Sequence, residues 1–365
     1  MALICGARPN FMKIAPLMFA IDKHNHNAKY RKKIEPILVH TGQHYDVQMS
    51  EAFFRDLNIP KPDFNLEVGS GSHAAQTAEI MIRFEKVCIQ EKLDWVIVVG
   101  DVNSTMACTI VASKLGIKVA HVEAGLRSFD REMPEEINRL VTDALADLLL
   151  TPSADADKNL LHEGVDKNKI KLVGNIMIDT LLTNVEKARK LRPHTKYDLK
   201  EKQYVFVTLH RPSNVDDNKS LAVIIKHLTA LSRKIPVIFP MHPRTRKNLI
   251  AFGLQEKINK AMNMIITDPL GYHETIGLVD KSAFVLTDSG GLQEETTVLC
   301  VPCLTLRHNT ERPVTITQGT NKLTSLEILE KDLVELFSGK HKKGRIPALW
   351  DGHTAERIVN LIIHY

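Results

Sequence analysis

The chain has few of the features that mark membrane, secreted or disulfide-rich proteins. No apolar run in its 365 residues reaches the roughly 18 residues that a membrane-spanning helix needs. Its first residues, Met-Ala-Leu-Ile-Cys-Gly, are typical of a strand and not of a signal peptide. Five cysteines, an odd number in a chain of this length, argue against a disulfide framework. The sequence therefore predicts a cytoplasmic protein without a membrane anchor.

Motifs for metals and common cofactors are also missing. The 16 histidines are scattered without H-E-x-x-H spacing, and Cys300-Val-Pro-Cys303 has no second pair, so we predict no metal site. Neither a Walker loop nor G-x-G-x-x-G occurs, so neither NAD nor another cofactor is expected. A net charge of +5 with 5% aromatic residues is too weak a signal for nucleic-acid binding, but it suits an anionic small substrate.

What the chain does contain is a repeated alternation of short apolar strands and helices. The unbroken run Val96–Val99 is typical of a parallel strand covered on both faces. The length suits two domains. We predict an α/β protein of two doubly wound, Rossmann-like domains that face each other across a cleft. The predicted limits are 1–173 and 174–352, with a C-terminal helix at 353–365 that packs back on the first domain.

Two neighbouring strands of the first domain each end in a carboxylate. The strand Val96–Val99 leads to Asp101, and the strand that begins at Lys118 leads to Glu123. Because ligands of open parallel sheets bind at the carboxyl ends of the strands, both carboxylates should face one pocket. Either acid alone could equally be a cap or a solvated loop residue, but the repetition favours chemistry. Glu135 follows a proline at a helix start, where a capping role is the simpler physical interpretation.

Cationic and glycine-rich segments predict an anion site. Arg8 and Lys13 lie in the first turn of the first helix, where a cation opposes the helix dipole, so a phosphate-binding role is favoured over a structural one. In the second half, 288–291 reads Asp-Ser-Gly-Gly before a helix, which would let backbone N–H groups approach a pyrophosphate, although tight turns use the same residues. Glu295 either binds ribose hydroxyls or relieves the helix dipole, and Arg312 suits a polyanion.

Many ordered motifs together carry a family resemblance. Along the chain they read GARPNFMKIAPL, TGQHYD, VVGDVNST, HVEAGLRS, PEEINR, VGNIMIDTL, VTLHRPSN, TDSGGLQEE and NTERPVT. The sequence resembles the non-hydrolysing UDP-N-acetylglucosamine 2-epimerases, which share the two-domain fold of the B-type glycosyltransferases. This resemblance covers nearly the whole chain and is far more specific than any single motif.

The resemblance implies reversible epimerisation of UDP-GlcNAc to UDP-ManNAc at carbon-2 without NAD, supplying UDP-ManNAc for surface polysaccharide or glycan synthesis. In the family, elimination of UDP gives a 2-acetamidoglucal intermediate, and UDP then adds back. Such a reaction needs proton-transfer groups at the sugar and cations at the diphosphate. The implied catalytic residues are Asp101, Glu123, Glu135 and His210. The implied substrate-binding residues are Arg8, Lys13, Arg139, Ser289, Gly290, Gly291, Glu295 and Arg312, with Arg139 placed to orient Glu135 one helical turn away.

The chain departs from many bacterial members in two segments. It reads His210-Arg211-Pro212-Ser213 where they have His-Arg-Arg-Glu, and 68–72 lacks their Gly-Gln pair. Residues around these segments bind a second, activating substrate molecule in those relatives. The positions that remain for such an allosteric site are Gln43, His44, Arg211 and His242.

Three other functions are compatible with the same motifs. A hydrolysing relative would release free ManNAc, a glycosyltransferase of the same fold would need an acceptor groove, and a nucleotide-sugar sensor would bind without turnover. The expected ligands are UDP-GlcNAc, UDP-ManNAc and UDP, and the relatives imply a homodimer. The epimerase is the leading hypothesis.

Overall fold

Short apolar runs form buried strands, and the amphipathic stretches between them form helices. The computed structural model describes residues 1–27, 32–42, 59–339 and 342–365. No helix within these ranges is long and apolar enough to cross a lipid bilayer.

The chain divides into two compact units. Unit 1 consists of Met1–Thr180 and Ala348–Tyr365, and unit 2 consists of Leu181–Pro347. The division falls within one helix, Ile176–Leu191, somewhat later than the predicted limit at residue 173.

Unit 1 is built on a parallel sheet, which has seven strands in the described residues. The strands are β1 (Ala2–Cys5), β2 (Ile37–His40), β3 (Phe64–Asn65), β4 (Trp95–Val99), β5 (Lys118–Val122), β6 (Leu148–Thr151) and β7 (Ile170–Leu172). Their order is β3-β2-β1-β4-β5-β6-β7. All of β4 is buried, as the β-branched run predicts for a strand covered on both faces.

The helices of unit 1 connect these strands. They are α1 (Arg8–His26), α2 (His73–Glu91), α3 (Asn103–Lys114), α4 (Pro134–Leu145), α5 (Ala154–His162) and the first turn of α6 (Ile176–Leu191), with a 3-10 turn at Lys167–Lys169. Apolar side chains of β1, β4 and β6 pack with those of α2 and α3 in one continuous core.

Unit 2 repeats the architecture with a parallel sheet that has six strands in the described residues. The strands are β8 (Val205–Thr208), β9 (Val237–Pro240), β10 (Met264–Thr267), β11 (Phe284–Thr287), β12 (Cys303–Leu306) and β13 (Asn321–Thr324), in the order β10-β9-β8-β11-β12-β13. The helices are the rest of α6, α7 (Pro212–Val215), α8 (Asn218–Ser232), α9 (Pro243–Ala251), α10 (Gln255–Asn259), α11 (Tyr272–Lys281), α12 (Gly290–Val298), α13 (Pro313–Thr317) and α14 (Leu329–Phe337), with a 3-10 turn at Pro193–Tyr197.

Each sheet has one point at which its strand order reverses. In unit 1 this point lies between β1 and β4, and in unit 2 between β8 and β11. A doubly wound sheet binds its ligand beside this point, outside the carboxyl ends of the strands. The prediction of two doubly wound α/β domains is confirmed, and it directs attention to the loops after β1, β4, β8 and β11.

The C-terminal segment returns to unit 1. Its helix, α15 (Thr354–His364), packs against α1. The Asp179 carboxylate accepts the first free N–H groups of α15, from Thr354 at 3.1 Å and Ala355 at 2.7 Å, which is the usual way to satisfy a helix start. Trp350 donates its indole N–H to the Pro152 carbonyl at 2.9 Å.

Candidate active site

The loop after β1 is held directly against the end of β4. The Asn10 side chain accepts the backbone N–H groups of Gly6 at 3.1 Å and Ala7 at 3.0 Å, and it donates to the Val99 carbonyl at 3.0 Å. A Cβ on Gly6 would lie 2.1 Å from the Ser104 hydroxyl oxygen, so only glycine fits this close approach. The start of α1 is thereby fixed beside the loop that carries Asp101.

Lys13 and Glu123 form a buried ion pair at this edge. Their side chains are only 7% and 3% exposed, although the residues come from α1 and from the loop after β5. Glu123 has a φ of +73°, an uncommon backbone conformation for a residue with a side chain. Its Oε1 has no hydrogen-bond partner within the described residues. A buried carboxylate oxygen without a donor is unusual in a native protein and is available to a ligand.

Asp101 is anchored by Arg139 of α4. The Arg139 guanidinium pairs with Asp101 and, at 2.6 Å, with Glu136, and both Arg139 and Glu136 are almost completely buried. Asn138, the preceding residue, donates to the Asp101 carbonyl at 2.8 Å. Asp101 keeps 28% of its side chain exposed, so its carboxylate is oriented by protein groups yet accessible.

Glu136 holds the loop that leads into α4. Its carboxylate accepts the backbone N–H groups of Ser128 at 3.0 Å and Phe129 at 2.9 Å. Burial would raise the pKa of the Glu136 carboxyl, but these bonds and the Arg139 guanidinium outweigh burial and lower that pKa. Phe129 adopts a left-handed φ of +59° and is 76% exposed as a residue, a backbone outlier for a bulky residue of the kind that clusters at functional sites.

Glu135 lies in the first turn of α4 and is exposed. The sequence interpretation placed Arg139 beside Glu135 to orient it. In the structure the ion pairs of Arg139 run to Asp101 and Glu136. The role given to Glu135 stays a prediction.

In unit 2, Asp288 organises the loop after β8. It is completely buried and accepts the backbone N–H groups of His210 at 2.9 Å and Arg211 at 2.8 Å, and the side-chain amide of Asn214 at 3.0 Å. Its carboxylate also lies 3.0 Å from His210 Nδ1. Burial would raise the pKa of Asp288, but His210 and the other donors outweigh burial and lower it. Because Nδ1 faces Asp288, the opposite ring nitrogen, Nε2, can form a hydrogen bond to a ligand or exchange a proton with it.

The predicted anion-binding turn lies at the start of α12. Ser289 precedes the helix, and Gly290 and Gly291 form its first turn. A Cβ on Gly290 would lie 2.7 Å from Arg312 Nη1, so the guanidinium packs directly on the backbone of the turn. Arg312 pairs with Glu294 at 2.8 Å and with Glu311. The structure therefore brings Ser289, Gly290, Gly291 and Arg312 together, and their role in binding a diphosphate stays a prediction.

The other residues named from the sequence fall into three groups. Arg8 begins α1. Arg211 and His242 lie with His210 at one edge of unit 2, where the two imidazole rings are 5.4 Å apart and Arg211 Nε donates to the Asp288 carbonyl at 3.0 Å. Gln43 and His44 lie outside the described residues, so the allosteric set stays a prediction.

Glu295 is a buried carboxyl on α12. Burial is the main cause that raises its pKa to about 8; the Tyr272 hydroxyl, at 3.2 Å, opposes the rise and the neighbouring Glu294 adds to it. Near neutral pH Glu295 is therefore largely protonated in the ligand-free protein. A neutral carboxyl can donate as well as accept, which suits a hydroxyl group of a ligand.

This raised pKa predicts a pH-dependent stability. Because the folded pKa lies above the unfolded value of 4.5, its contribution is fully present below about pH 4.5 and is lost as pH rises through 8. Glu295→Gln should remove that loss, so the ligand-free variant should gain on the wild type by a few kcal/mol between pH 5 and 9. Urea unfolding across this range measures the difference. The exposed Glu330→Gln serves as the control, and parallel stability curves for Glu295→Gln and wild type would contradict the assignment.

Sequence reasoning missed several of these residues. Glu136 and Asp288 are each adjacent in sequence to a residue that was predicted. The spacing of three residues between Glu136 and Arg139 on one helix could have indicated their ion pair. The pairing of Lys13 with Glu123, 110 positions apart, carries no local signal.

Comparison with known proteins identifies the family to which this chain is similar. Residues 26–363 match the family described as UDP-N-acetylglucosamine 2-epimerase. The chain is 42% identical to the UDP-N-acetylglucosamine 2-epimerase of Methanocaldococcus jannaschii, with 100% of this chain and 99% of that protein covered. It is 38% identical to the UDP-2,3-diacetamido-2,3-dideoxy-D-glucuronate 2-epimerase of Pseudomonas aeruginosa, with 94% and 97% covered.

Solved structures agree with the sequence comparison. The crystal structure of the M. jannaschii enzyme in complex with UDP-GlcNAc and UDP superposes with a TM-score of 0.90 at 40% identity, over 100% of this chain and 99% of that one. The lipopolysaccharide outer core galactosyltransferase WaaB, at 14% identity and a TM-score of 0.57, shares the fold alone and agrees with the predicted B-type glycosyltransferase architecture. The chain belongs to the UDP-N-acetylglucosamine 2-epimerase family.

Proposed function

We propose that the protein interconverts UDP-GlcNAc and UDP-ManNAc by elimination and re-addition of UDP. The observation that carries this proposal is the pair of oriented carboxylates, Asp101 and Glu123, at the carboxyl edge of the unit 1 sheet. Asp101 and Glu123 each pair with a cation, and Glu123 keeps an oxygen without a donor among the described residues. Two acids held in this way suit removal of a proton from one face of carbon-2 and its return to the other.

The chemistry explains why two different sets of side chains are needed. The hydrogen on carbon-2 is not acidic, so the bond from carbon-1 to UDP must break as a carboxylate takes that proton, and UDP leaves with the bonding electrons. We assign the carboxylates of unit 1 to the sugar. We assign the start of α12, Arg312 and His210 to the diphosphate, where N–H groups and cations stabilise the departing charge.

Glu295 is assigned to the ribose of the same substrate. Its protonated carboxyl, buried beside the Tyr272 hydroxyl, can both donate to and accept from a sugar hydroxyl. Arg8 and Lys13 were assigned to the diphosphate from the sequence. The pairing of Lys13 with Glu123 supports a different role, in which Lys13 orients the Glu123 carboxylate.

The decisive experiment incubates the protein with UDP-GlcNAc in heavy water and follows the products by NMR and mass spectrometry. We expect UDP-ManNAc, with deuterium incorporated at carbon-2 of both nucleotide sugars, because the proton returns from solvent-exchanged carboxyl groups. A reaction without protein is the control. Free ManNAc as the main product would instead identify a hydrolysing enzyme, and an absence of carbon-2 exchange would exclude epimerisation.

The substrate and assembly also belong to this proposal. The P. aeruginosa relative acts, by its name, on a diacetamido glucuronate, so that nucleotide sugar should be offered in parallel and should react more slowly.

We propose a cytoplasmic homodimer, as the family resemblance implies. Two exposed isoleucines of α2, Ile82 and Ile89, are 53% and 66% exposed and lie seven residues apart on one face of the helix, which supports an association surface there.

A further inference from the structure

His121 is a buried histidine whose two ring nitrogens are both engaged. It lies in β5 with no exposed surface. Its Nδ1 is 2.6 Å from an Asp143 carboxylate oxygen, and its Nε2 is 2.8 Å from the Gly100 carbonyl oxygen. The second of these bonds crosses from β5 to the loop that ends β4, one residue before Asp101.

Both partners of this ring are acceptors, which fixes its protonation. A carboxylate and a carbonyl cannot donate, so two hydrogen bonds require a proton on each nitrogen. The ring is therefore an imidazolium. Asp143 also pairs with Arg127 at 2.7 Å, and Arg127 pairs in turn with Glu163 at 2.7 Å. With the imidazolium these four side chains carry two positive and two negative charges, and Glu163 keeps 31% of its side chain exposed.

The same carboxylate reaches the next loop. Asp143 accepts the backbone N–H of Gly125 at 3.0 Å, two residues after Glu123. His121 and Asp143 thus connect the loop of Asp101 with the loop of Glu123.

The turn at Gly100 packs closely on the reactive groups. Gly100 has a φ of +69°, and a Cβ on it would lie 2.7 Å from Lys13 Nζ and 3.4 Å from Glu123 Oε2. A small shift of this turn would therefore move Asp101 and press on the Lys13–Glu123 pair. The Gly100 carbonyl accepts the N–H of His121 Nε2, so this bond holds the turn from the side of β5.

We propose that His121 is a positioning residue of the reaction: as an imidazolium it ties the Gly100 carbonyl to Asp143 and so sets the relative positions of Asp101 and Glu123. This inference rests on the proposed epimerase function. His121 lies in the core and contacts no substrate, so it affects the reaction rate only through the positions of Asp101 and Glu123. Misplacement of reacting groups by about 1 Å can cost on the order of 10²-fold in rate.

Two amide substitutions separate the two bonds. The Asn amide reaches the position of Nδ1, so His121→Asn keeps the bond to Asp143 and loses the bond to Gly100. The Gln amide reaches the position of Nε2, so His121→Gln keeps the bond to Gly100. We expect kcat for carbon-2 exchange to fall about 10²-fold in His121→Asn and only about tenfold in His121→Gln, with KM for UDP-GlcNAc within about twofold of wild type in both.

Folding and function are distinguished in the same series. Urea unfolding and UDP binding give the folded fraction of each variant, and rates are expressed per folded molecule. A purely structural role predicts unchanged kcat in the folded fraction or equal loss in the two variants, and either result would overturn the proposal. If the wild type itself shows no carbon-2 exchange, the proposed function fails instead.

A measurement on the wild type needs no variant to fold. In protein labelled with ¹⁵N-histidine, the His121 ring, assigned by nuclear Overhauser contacts of its ring protons with neighbouring residues of β5, should show protons on both Nδ1 and Nε2 at neutral pH. Exchange-protected signals from both nitrogens support the proposal. A single protonated nitrogen would contradict it, even if every variant aggregated.

Discussion

Asp101→Asn is expected to lower kcat for epimerisation by about 10³-fold or more while UDP still binds. An amide has nearly the shape of the carboxylate but cannot accept a proton, and positioned general acids and bases contribute roughly 10² to 10⁴-fold. Arg139 keeps its buried partner Glu136 in this variant, so the guanidinium is not left without a counter-charge and the fold should persist. Steady-state NMR of product formation and calorimetry with UDP measure the two properties.

The same strand offers a matched control. Asp94 precedes β4 at its opposite, amino end and is exposed, so Asp94→Asn makes the same chemical change away from the ligand edge. It should retain wild-type turnover. A nucleotide-sugar sensor would respond in the opposite way, because Asp101→Asn would then leave its ligand binding and its biological output intact. Near-normal turnover in Asp101→Asn would remove the residue from the mechanism.

The sequence predicted those features that local patterns encode. Apolar runs such as Val96–Val99 locate the strands, and parallel strands connected through helices must place their carboxyl ends along one edge. That rule is sufficient to bring Asp101 and Glu123 to the same side of unit 1. The position of the Ser-Gly-Gly turn at the start of α12 was also predicted, because glycines before a helix leave its first N–H groups open to an anion, although tight turns use such glycines too.

The sequence could not predict which side chains pair across that edge. Arg139 lies one turn from Glu135, which suggested an interaction within the helix; its side chain pairs within the helix with Glu136 and also reaches Asp101 on another loop. Glu136 lies beside Glu135 at the helix start, where an acid needs no further explanation, yet its carboxylate accepts the backbone N–H groups of Ser128 and Phe129. Such choices depend on distances of a few ångströms between elements, which periodicity does not contain.

Lys13→Met is expected to destabilise the protein by about 3–5 kcal/mol and to abolish most turnover. Removing one partner of a buried ion pair leaves the other charge desolvated and uncompensated, and this costs far more than the pair itself contributes. Lys13 and Glu123 meet that condition, with side chains 7% and 3% exposed. Urea unfolding gives the change in free energy, and carbon-2 exchange gives the change in rate.

A surface pair on the same helix provides the control. Lys23 of α1 pairs with Glu356, but its side chain is 76% exposed, and solvent screening makes such pairs contribute little to stability. Lys23→Met should therefore leave both stability and turnover close to wild type. Equal destabilisation by the two lysine substitutions would show that loss of packing on α1, and not loss of the buried charge, causes the effect.

The double variant Lys13→Met with Glu123→Gln separates stability from chemistry. With both charges gone no buried ion is left unpaired, so most of the stability lost in Lys13→Met should return. Turnover should not return, because the neutral amide at position 123 cannot exchange a proton with carbon-2. Recovery of both properties would make the pair structural only. Recovery of neither would show that Lys13 stabilises unit 1 through contacts other than Glu123, since the coupling between the two charges would then be too small to measure.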